Sequence, residues 1–244
     1  MRELVAVPKP ANRECICGGV IEAFNFFGGP WRFYDKCEPC MVEDSEAEER
    51  QQARLEERMR RNRIRQAVHG SGMSPRELAM SAESWTAPAA VRQAVDGWVA
   101  GKHGLYLHGT VGSGKTYAAV VALRRYIETT GNEGLFRVTA ELINDLREAV
   151  MRGQDTRMVD TLISAPALVL DDMAVERSTP YALEAMYLLI DGWYRSARPH
   201  LIITSNIGPD DLASKLDDRI ASRIMGHCKV LEFRGADKRL KARS

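Results

Sequence analysis

Residues 105–116 read LYLHGTVGSGKT: an apolar run, a glycine-rich turn, then lysine and threonine at the head of a helical stretch. No other segment narrows the fold so far. Gly109, Gly114, Lys115 and Thr116 fall on the spacing G-x-x-x-x-G-K-[ST], with Thr110, Val111, Gly112 and Ser113 filling the turn. Such a turn curls its backbone N–H groups around phosphate oxygens, and the helix that follows adds the positive end of its dipole. In that arrangement Lys115 reaches the β- and γ-phosphates of ATP and the Thr116 hydroxyl takes Mg²⁺, with Tyr117 next to them in the nucleotide-binding set. The motif needs a strand before it and a helix after it. Both are present, so an ordinary βα turn explains the stretch less well.

The rest of the chain from about residue 73 agrees. Short apolar runs at 105–108, 135–138, 167–170, 200–204 and 229–233 alternate with helical stretches at 115–129, 140–152, 180–195 and 209–225. Alternation of this kind predicts βαβ units and an α/β domain with a five-stranded parallel sheet.

Three further segments belong at the sheet's C-terminal edge, where the phosphate turn lies. ALVLDDM (167–173) is an apolar run ending in two adjacent carboxylates, which repel unless a cation sits between or near them. Downstream of a phosphate-binding turn, Asp171 is expected to hold Mg²⁺ and Asp172 to orient or deprotonate the attacking water, with Glu176 as a second candidate base. LIITSN (201–206) ends in polar groups, and Asn206 is placed to hydrogen-bond a γ-phosphate or the water; Thr204 and Ser205 beside it are equally polar. LDDRIASRIMG (216–226) sets Arg219 and Arg223 four apart on one helical face. They are either surface ion-pair partners or the source of an arginine finger, a cation lent to a neighbouring subunit's γ-phosphate. Arg223 is the expected finger, because it lies just before Gly226, the glycine expected to end the helix. A finger in trans implies a homo-oligomer.

The N-terminal part reads differently. Cys15, Cys17, Cys37 and Cys40 form C-x-C…C-x-x-C, a spacing close to a four-cysteine zinc ribbon. About 40 residues cannot bury a sufficient core, so a metal staple makes physical sense there. Residues 42–69 are almost all charge, carboxylates first and arginines later, the order a helix dipole favours. Glu46–Arg50, Glu56–Arg60 and Glu57–Arg61 are i,i+4 pairs along it, and GSG at 70–72 breaks it. The expected division is therefore a cysteine-rich zinc-binding module (1–41), a charged helical linker (42–72) and an ATPase domain (73–244). Cys228 stands apart as a packing residue. Net charge is only +1, so nucleic-acid binding needs local patches: a stripe of Arg50, Arg54, Arg58, Arg61 and Arg65, or the basic tail after Arg234. The longest apolar runs, AAVVAL and ALVL, fall far short of the roughly 18 residues of a membrane span. Without a membrane span or a secretory leader, the expected location is cytoplasmic.

Taken in order, SGMSPR, GTVGSGKT, LVLDDM, LIITSN, SRI and FRGADKRLK resemble the AAA+ ATPases of the DnaC/DnaI helicase-loader and IstB transposition-helper group, over roughly residues 70–241. The resemblance implies an AAA+ core that stops soon after its fifth strand, with no C-terminal helical lid. It implies that Arg239 is the group's closing arginine near the nucleotide and that Thr139 begins the polar end of the second strand. It also implies a replicative helicase and single-stranded DNA as partners, since some members grip the helicase through an N-terminal zinc-bearing module.

Three functions compete on these grounds. A helicase loader uses ATP hydrolysis as a timing switch and places a DnaB-type helicase on single-stranded DNA. A transposase helper of the IstB kind uses the same engine on duplex DNA. A small-molecule kinase needs a lid with arginines and an acceptor pocket that the sequence lacks, and it leaves Asn206 and Arg223 idle. The cysteine cluster favours the loader. A zinc module with a dead nucleotide site does not suit two intact phosphate motifs.

Overall fold

The chain divides into two units, Met1–Arg61 and Asn62–Ser244; the computed structural model describes residues 8–25, 30–152, 157–173 and 180–234. In the first unit, two short antiparallel ribbons accompany the cysteines. Strand β1 (Arg13–Glu14) pairs with β2 (Val20–Ile21), and β3 (Ala23–Phe24) with β4 (Arg32–Phe33). Helix α1 (Glu38–Gly70) starts earlier than the charge pattern alone indicates, which takes Cys40 into its first turn. Its i,i+4 pairs Glu46–Arg50 (3.1 Å) and Glu57–Arg61 (2.6 Å) form, and its arginine stripe is exposed. Near the end of the helix, Ile64, Ala67 and Val68 join the core of the second unit.

The second unit continues with α2 (Pro75–Leu78), capped reciprocally by Ser74 and Glu77, and α3 (Ala89–Val99). Then come β5 (Gly104–Gly109), α4 (Lys115–Thr130), β6 (Leu135–Val138), α5 (Thr139–Met151) and α6 (Arg157–Ser164). They are followed by β7 (Leu168–Met173), α7 (Pro180–Ser196), β8 (Leu201–Ser205), α8 (Pro209–Lys215), α9 (Asp218–His227) and β9 (Cys228–Phe233). The expected helix at 209–225 is two helices. Leu216 leaves helical geometry at φ −109°, ψ −84°, and the Asp217 carboxylate caps a new start by accepting from the Arg219 N–H. Gly226 does not end α9, as the sequence reading expected: the helix runs to His227 and stops because Cys228 is already extended as the first residue of β9.

The five long strands form one parallel sheet in the order β6-β7-β8-β5-β9. Side chains alternate across it. Leu105, Leu107, Val169 and Ile202 pack with α3 and α4 on one face; Tyr106, Leu168, Leu170 and Ile203 pack with α5, α7 and α9 on the other. From β5 the chain crosses to the far edge at β6, then returns strand by strand to β8 and passes over β5 to β9. The strand order thus reverses beside β5, and the crevice at that point opens at the strands' C-terminal ends. Among the described residues no helix is long and apolar enough to cross a membrane.

Candidate nucleotide-binding site

The turn after β5 has the backbone the motif requires. Gly109 sits at φ +136°, and a Cβ there would fall 2.1 Å from the Phe233 carbonyl oxygen of β9, so only glycine fits. Gly114, at φ 102°, is the N-cap of α4, from which the first N–H groups of the helix face the turn. Within the turn, Ser113 Oγ donates to the Thr110 carbonyl at 2.7 Å. Gly112 is left-handed too, and Val111 is exposed.

Lys115 is only 7% exposed. Its ammonium donates to the carbonyls of Gly109 (2.7 Å) and Thr110 (2.8 Å) and to Asn206 Oδ1 (2.9 Å). A phosphate oxygen is a stronger, charged acceptor than any of these, so the lysine is held in place for an exchange of partners. The same contact fixes the Asn206 amide: because lysine only donates, the carbonyl faces it and the NH₂ group is left to donate elsewhere.

Behind the turn, Asp171 is 6% exposed and accepts two hydroxyl hydrogen bonds, from Thr116 (3.1 Å) and Thr204 (2.6 Å). Burial pushes its carboxyl above the usual aspartate range, and the charges of Asp172 and Glu77 add to that, while the bonds from Thr204 and Thr116 pull the other way. An oxygen set of this kind, a hydroxyl and a carboxylate that gains from a nearby positive charge, suits a hard divalent cation. Thr204 also accepts from the Asp172 N–H at 2.9 Å. The ladder between β7 and β8 slips between Leu170 and Met173, and Asp172 takes φ 53° there, a left-handed conformation that a non-glycine residue adopts only under constraint. The slip separates the roles of the two carboxylates: Asp171 is buried against Thr116, and Asp172 is exposed at the strand end.

The structure therefore gathers Gly109–Thr116, Asp171, Asp172 and Asn206 at one crevice. Tyr117 turns away: its hydroxyl donates to the Ser81 carbonyl (3.0 Å) and pairs with Ser84 Oγ (2.6 Å), tying the segment after α2 to the start of α4. Arg223 is bound on the α7–α9 face to Asp191 and Tyr187. Thr139 opens α5, with its hydroxyl buried and without a hydrogen-bond partner among the described residues. Glu176, Arg239 and the basic tail lie outside the described residues. Thr204 stood out in the sequence only as one of three polar residues at its strand end; in the fold its hydroxyl joins Asp171 to the Asp172 N–H.

In the first unit, the sulfur atoms of Cys15, Cys17, Cys37 and Cys40 all lie within 4.8 Å of one another. Cys17 and Cys37 are 3.3 Å apart, Cys15 and Cys40 3.9 Å. Tetrahedral thiolates at zinc–sulfur distances of about 2.3 Å stand roughly 3.8 Å apart, so the cluster could hold zinc with little adjustment. The backbone N–H groups of Cys17 and Cys37 lower the Cys15 thiol, while the hydrogen bonds among the four sulfurs and burial raise those of Cys37 and Cys40. Cys228, by contrast, is buried in the sheet's core, and burial raises its thiol to about 12.

A phosphate turn between strand and helix of an open parallel sheet, faced across the neighbouring strand ends by an acid and an asparagine, defines an AAA+ P-loop ATPase domain. The chain belongs to the IstB-like ATP binding protein family, whose model matches residues 34–244. It is 29% identical over 114 residues to a Mycobacterium tuberculosis (strain ATCC 25618 / H37Rv) protein described as an ATP-binding protein in an insertion sequence. That match covers 47% of this chain and 45% of the relative, so it spans less than half of that protein's length. Among solved structures, the DnaC helicase loader is similar at 26% identity and a TM-score of 0.60, over 66% of this chain and 100% of that one. DnaI shares the fold at 23% identity and a TM-score of 0.57, over 67% of this chain and 95% of that one.

Proposed function

We propose that this chain is an ATP-hydrolysing switch that binds a replicative DnaB-type helicase and helps place it on single-stranded DNA. The observation that carries the reading is the linkage of Lys115 to Asn206 and of Thr116 through Asp171 to Thr204. These contacts join the phosphate turn, β7 and β8 around one crevice, so arrival or loss of a γ-phosphate is felt on three elements at once.

The turn's N–H groups and Lys115 bind the phosphates. Thr116 and Asp171 would hold Mg²⁺, which would neutralise charge on the phosphate oxygens. Asp172 takes a proton from the attacking water while the water's oxygen bonds to the γ-phosphorus. The bond from that phosphorus to the β–γ bridging oxygen breaks, and ADP leaves. Asn206 steadies the water or the γ-phosphate through its NH₂ group. Arg223 of one subunit lends its cation to its neighbour's nucleotide. Cys15, Cys17, Cys37 and Cys40 would hold zinc, which would supply folding energy to the N-terminal module that grips the helicase.

Likeness to the DnaC helicase loader over that structure's whole length supports this reading. The insertion-sequence relative favours a second reading, an ATPase helper of a transposase that acts on duplex DNA. One comparison separates them. The full chain with ATP is titrated with labelled single-stranded and duplex DNA and, separately, with a purified replicative helicase. The loader reading expects helicase binding that is lost on removal of residues 1–69, and tighter binding to single strands that weakens as salt rises. Preference for duplex DNA with no helicase bound supports the transposase helper instead.

A further inference from the structure

Arg223 is held by three groups of its own chain. Its Nε donates to Asp191 on α7, its Nη1 to the Arg219 carbonyl at 3.2 Å, and its Nη2 to the Tyr187 hydroxyl at 3.2 Å. The guanidinium also stands 4.9 Å from the centroid of the Tyr187 ring, with Arg219 over the same ring at 4.4 Å. A guanidinium carries five N–H donors. Among the described residues three are engaged, and two remain.

The Asp191 carboxylate is shared unequally. Its Oδ2 accepts from Arg195 at 2.7 Å, but that arginine's side chain is 75% exposed, whereas the Arg223 side chain is 24% exposed and Asp191 is buried. An exposed i,i+4 pair contributes little. A buried carboxylate hydrogen-bonded to a mostly covered guanidinium constrains both strongly, because breaking it strands a charge. Leu188, Tyr194 and Met225 are exposed on the same two helices, so this face of the chain combines a fixed cation with uncovered apolar surface.

We propose that Asp191 is a positioning residue for Arg223. Its carboxylate, aided by the Tyr187 hydroxyl, fixes one edge of the guanidinium so that the two remaining N–H groups face a second copy of this chain, at that copy's γ-phosphate. The inference rests on the finger reading of Arg223. Its physical content is pre-organisation: a long side chain already locked in one rotamer loses little entropy when it meets the phosphate, and a small misplacement of such a group costs on the order of a hundredfold in rate.

The test uses the full-length protein with Asp191→Asn, Tyr187→Phe, Arg223→Ala and the double variant Asp191→Asn/Arg223→Ala. ATP turnover is measured at concentrations where activity per subunit no longer rises, and ATP affinity is measured separately. Asp191→Asn is expected to lower kcat by about ten- to a hundredfold with KM and ATP affinity unchanged. Tyr187→Phe gives a smaller loss in the same direction, and Asp191→Asn adds no further loss in the Arg223→Ala background. Mixing Asp191→Asn with Lys115→Ala subunits restores turnover, because the latter lend an intact finger. Wild-type kcat in Asp191→Asn, with Arg223→Ala impaired, overturns the positioning role and leaves the finger standing. Full turnover in Arg223→Ala overturns the finger itself. Lost ATP affinity, or equal losses with and without Arg223, makes Asp191 a structural tie between α7 and α9. Should Asp191→Asn fail to fold, an unchanged kcat in Tyr187→Phe counts against the proposal.

Discussion

Lys115 and Asn206 meet across the crevice, the lysine Nζ donating to the asparagine Oδ1 at 2.9 Å. Ninety-one positions separate them in sequence, yet the switch in strand order beside β5 puts the end of β8 next to the phosphate turn. The contact turns the Asn206 carbonyl to the lysine and leaves its NH₂ group to donate elsewhere, which on the proposed function is toward the γ-phosphate or the water.

Asn206→Ala is therefore expected to leave ATP affinity within about threefold of wild type and to lower kcat by roughly 10²-fold, the size of effect seen when one donor to a developing charge is removed. Steady-state hydrolysis alongside equilibrium nucleotide binding checks it. A large loss of affinity with kcat intact would assign Asn206 to binding alone.

Acid should weaken the second unit through two half-buried histidines, His200 and His227. His200 stands edge-on to Trp98 at 5.4 Å and 4.5 Å from Tyr126, and burial lowers its pKa against a backbone hydrogen bond to Val99. His227 is lowered by burial in the same way. The Nε2 atoms of both are buried without a partner among the described residues. A histidine lowered in the folded chain binds its proton more readily when unfolded, so the stability of the neutral form is present above pH 6.5 and is lost as pH falls below it. Melting temperature should fall between pH 7 and pH 5, by roughly 3 °C or more. The fall should be smaller in His200→Gln/His227→Gln. An equal fall in both proteins would locate the acid sensitivity elsewhere.

Much of this was legible in the chain because it is local. The turn at 109–116 names its own backbone, and the apolar runs before Asp171 and Asn206 place both at the sheet edge that carries it. Helix α3 went unread although Val91, Ala94, Val95 and Trp98 bury one face at helical spacing. It is short and follows Pro88 in a stretch that resembles a loop. The slip at Asp172, the role of Thr204 and the capture of Arg223 by Asp191 depend on neighbouring strands and helices, and no pattern within a single element encodes them. Gly226 misled for the complementary reason: a glycine commonly ends a helix, but here the pairing of Cys228 in β9 sets the boundary.

The cysteine cluster predicts about one zinc per chain, by elemental analysis of protein purified without chelator. Removing the metal should unfold the N-terminal module and spare nucleotide binding, since a metal supplies most of the folding energy of so small a unit. Cys37→Ser should lower zinc content and leave ATP hydrolysis within about twofold. Metal-free protein with an ordered N-terminal module would contradict the assignment.

The central claim is that the turn at 109–116 is the nucleotide site, and equilibrium binding of ATP to Lys115→Ala tests it most directly. Removing the ammonium that bridges Gly109, Thr110 and Asn206 should weaken binding by at least about a hundredfold, the loss of one or more charge-assisted hydrogen bonds, and abolish hydrolysis. A folded Lys115→Ala protein that binds and hydrolyses ATP like wild type would place the site elsewhere and contradict the account.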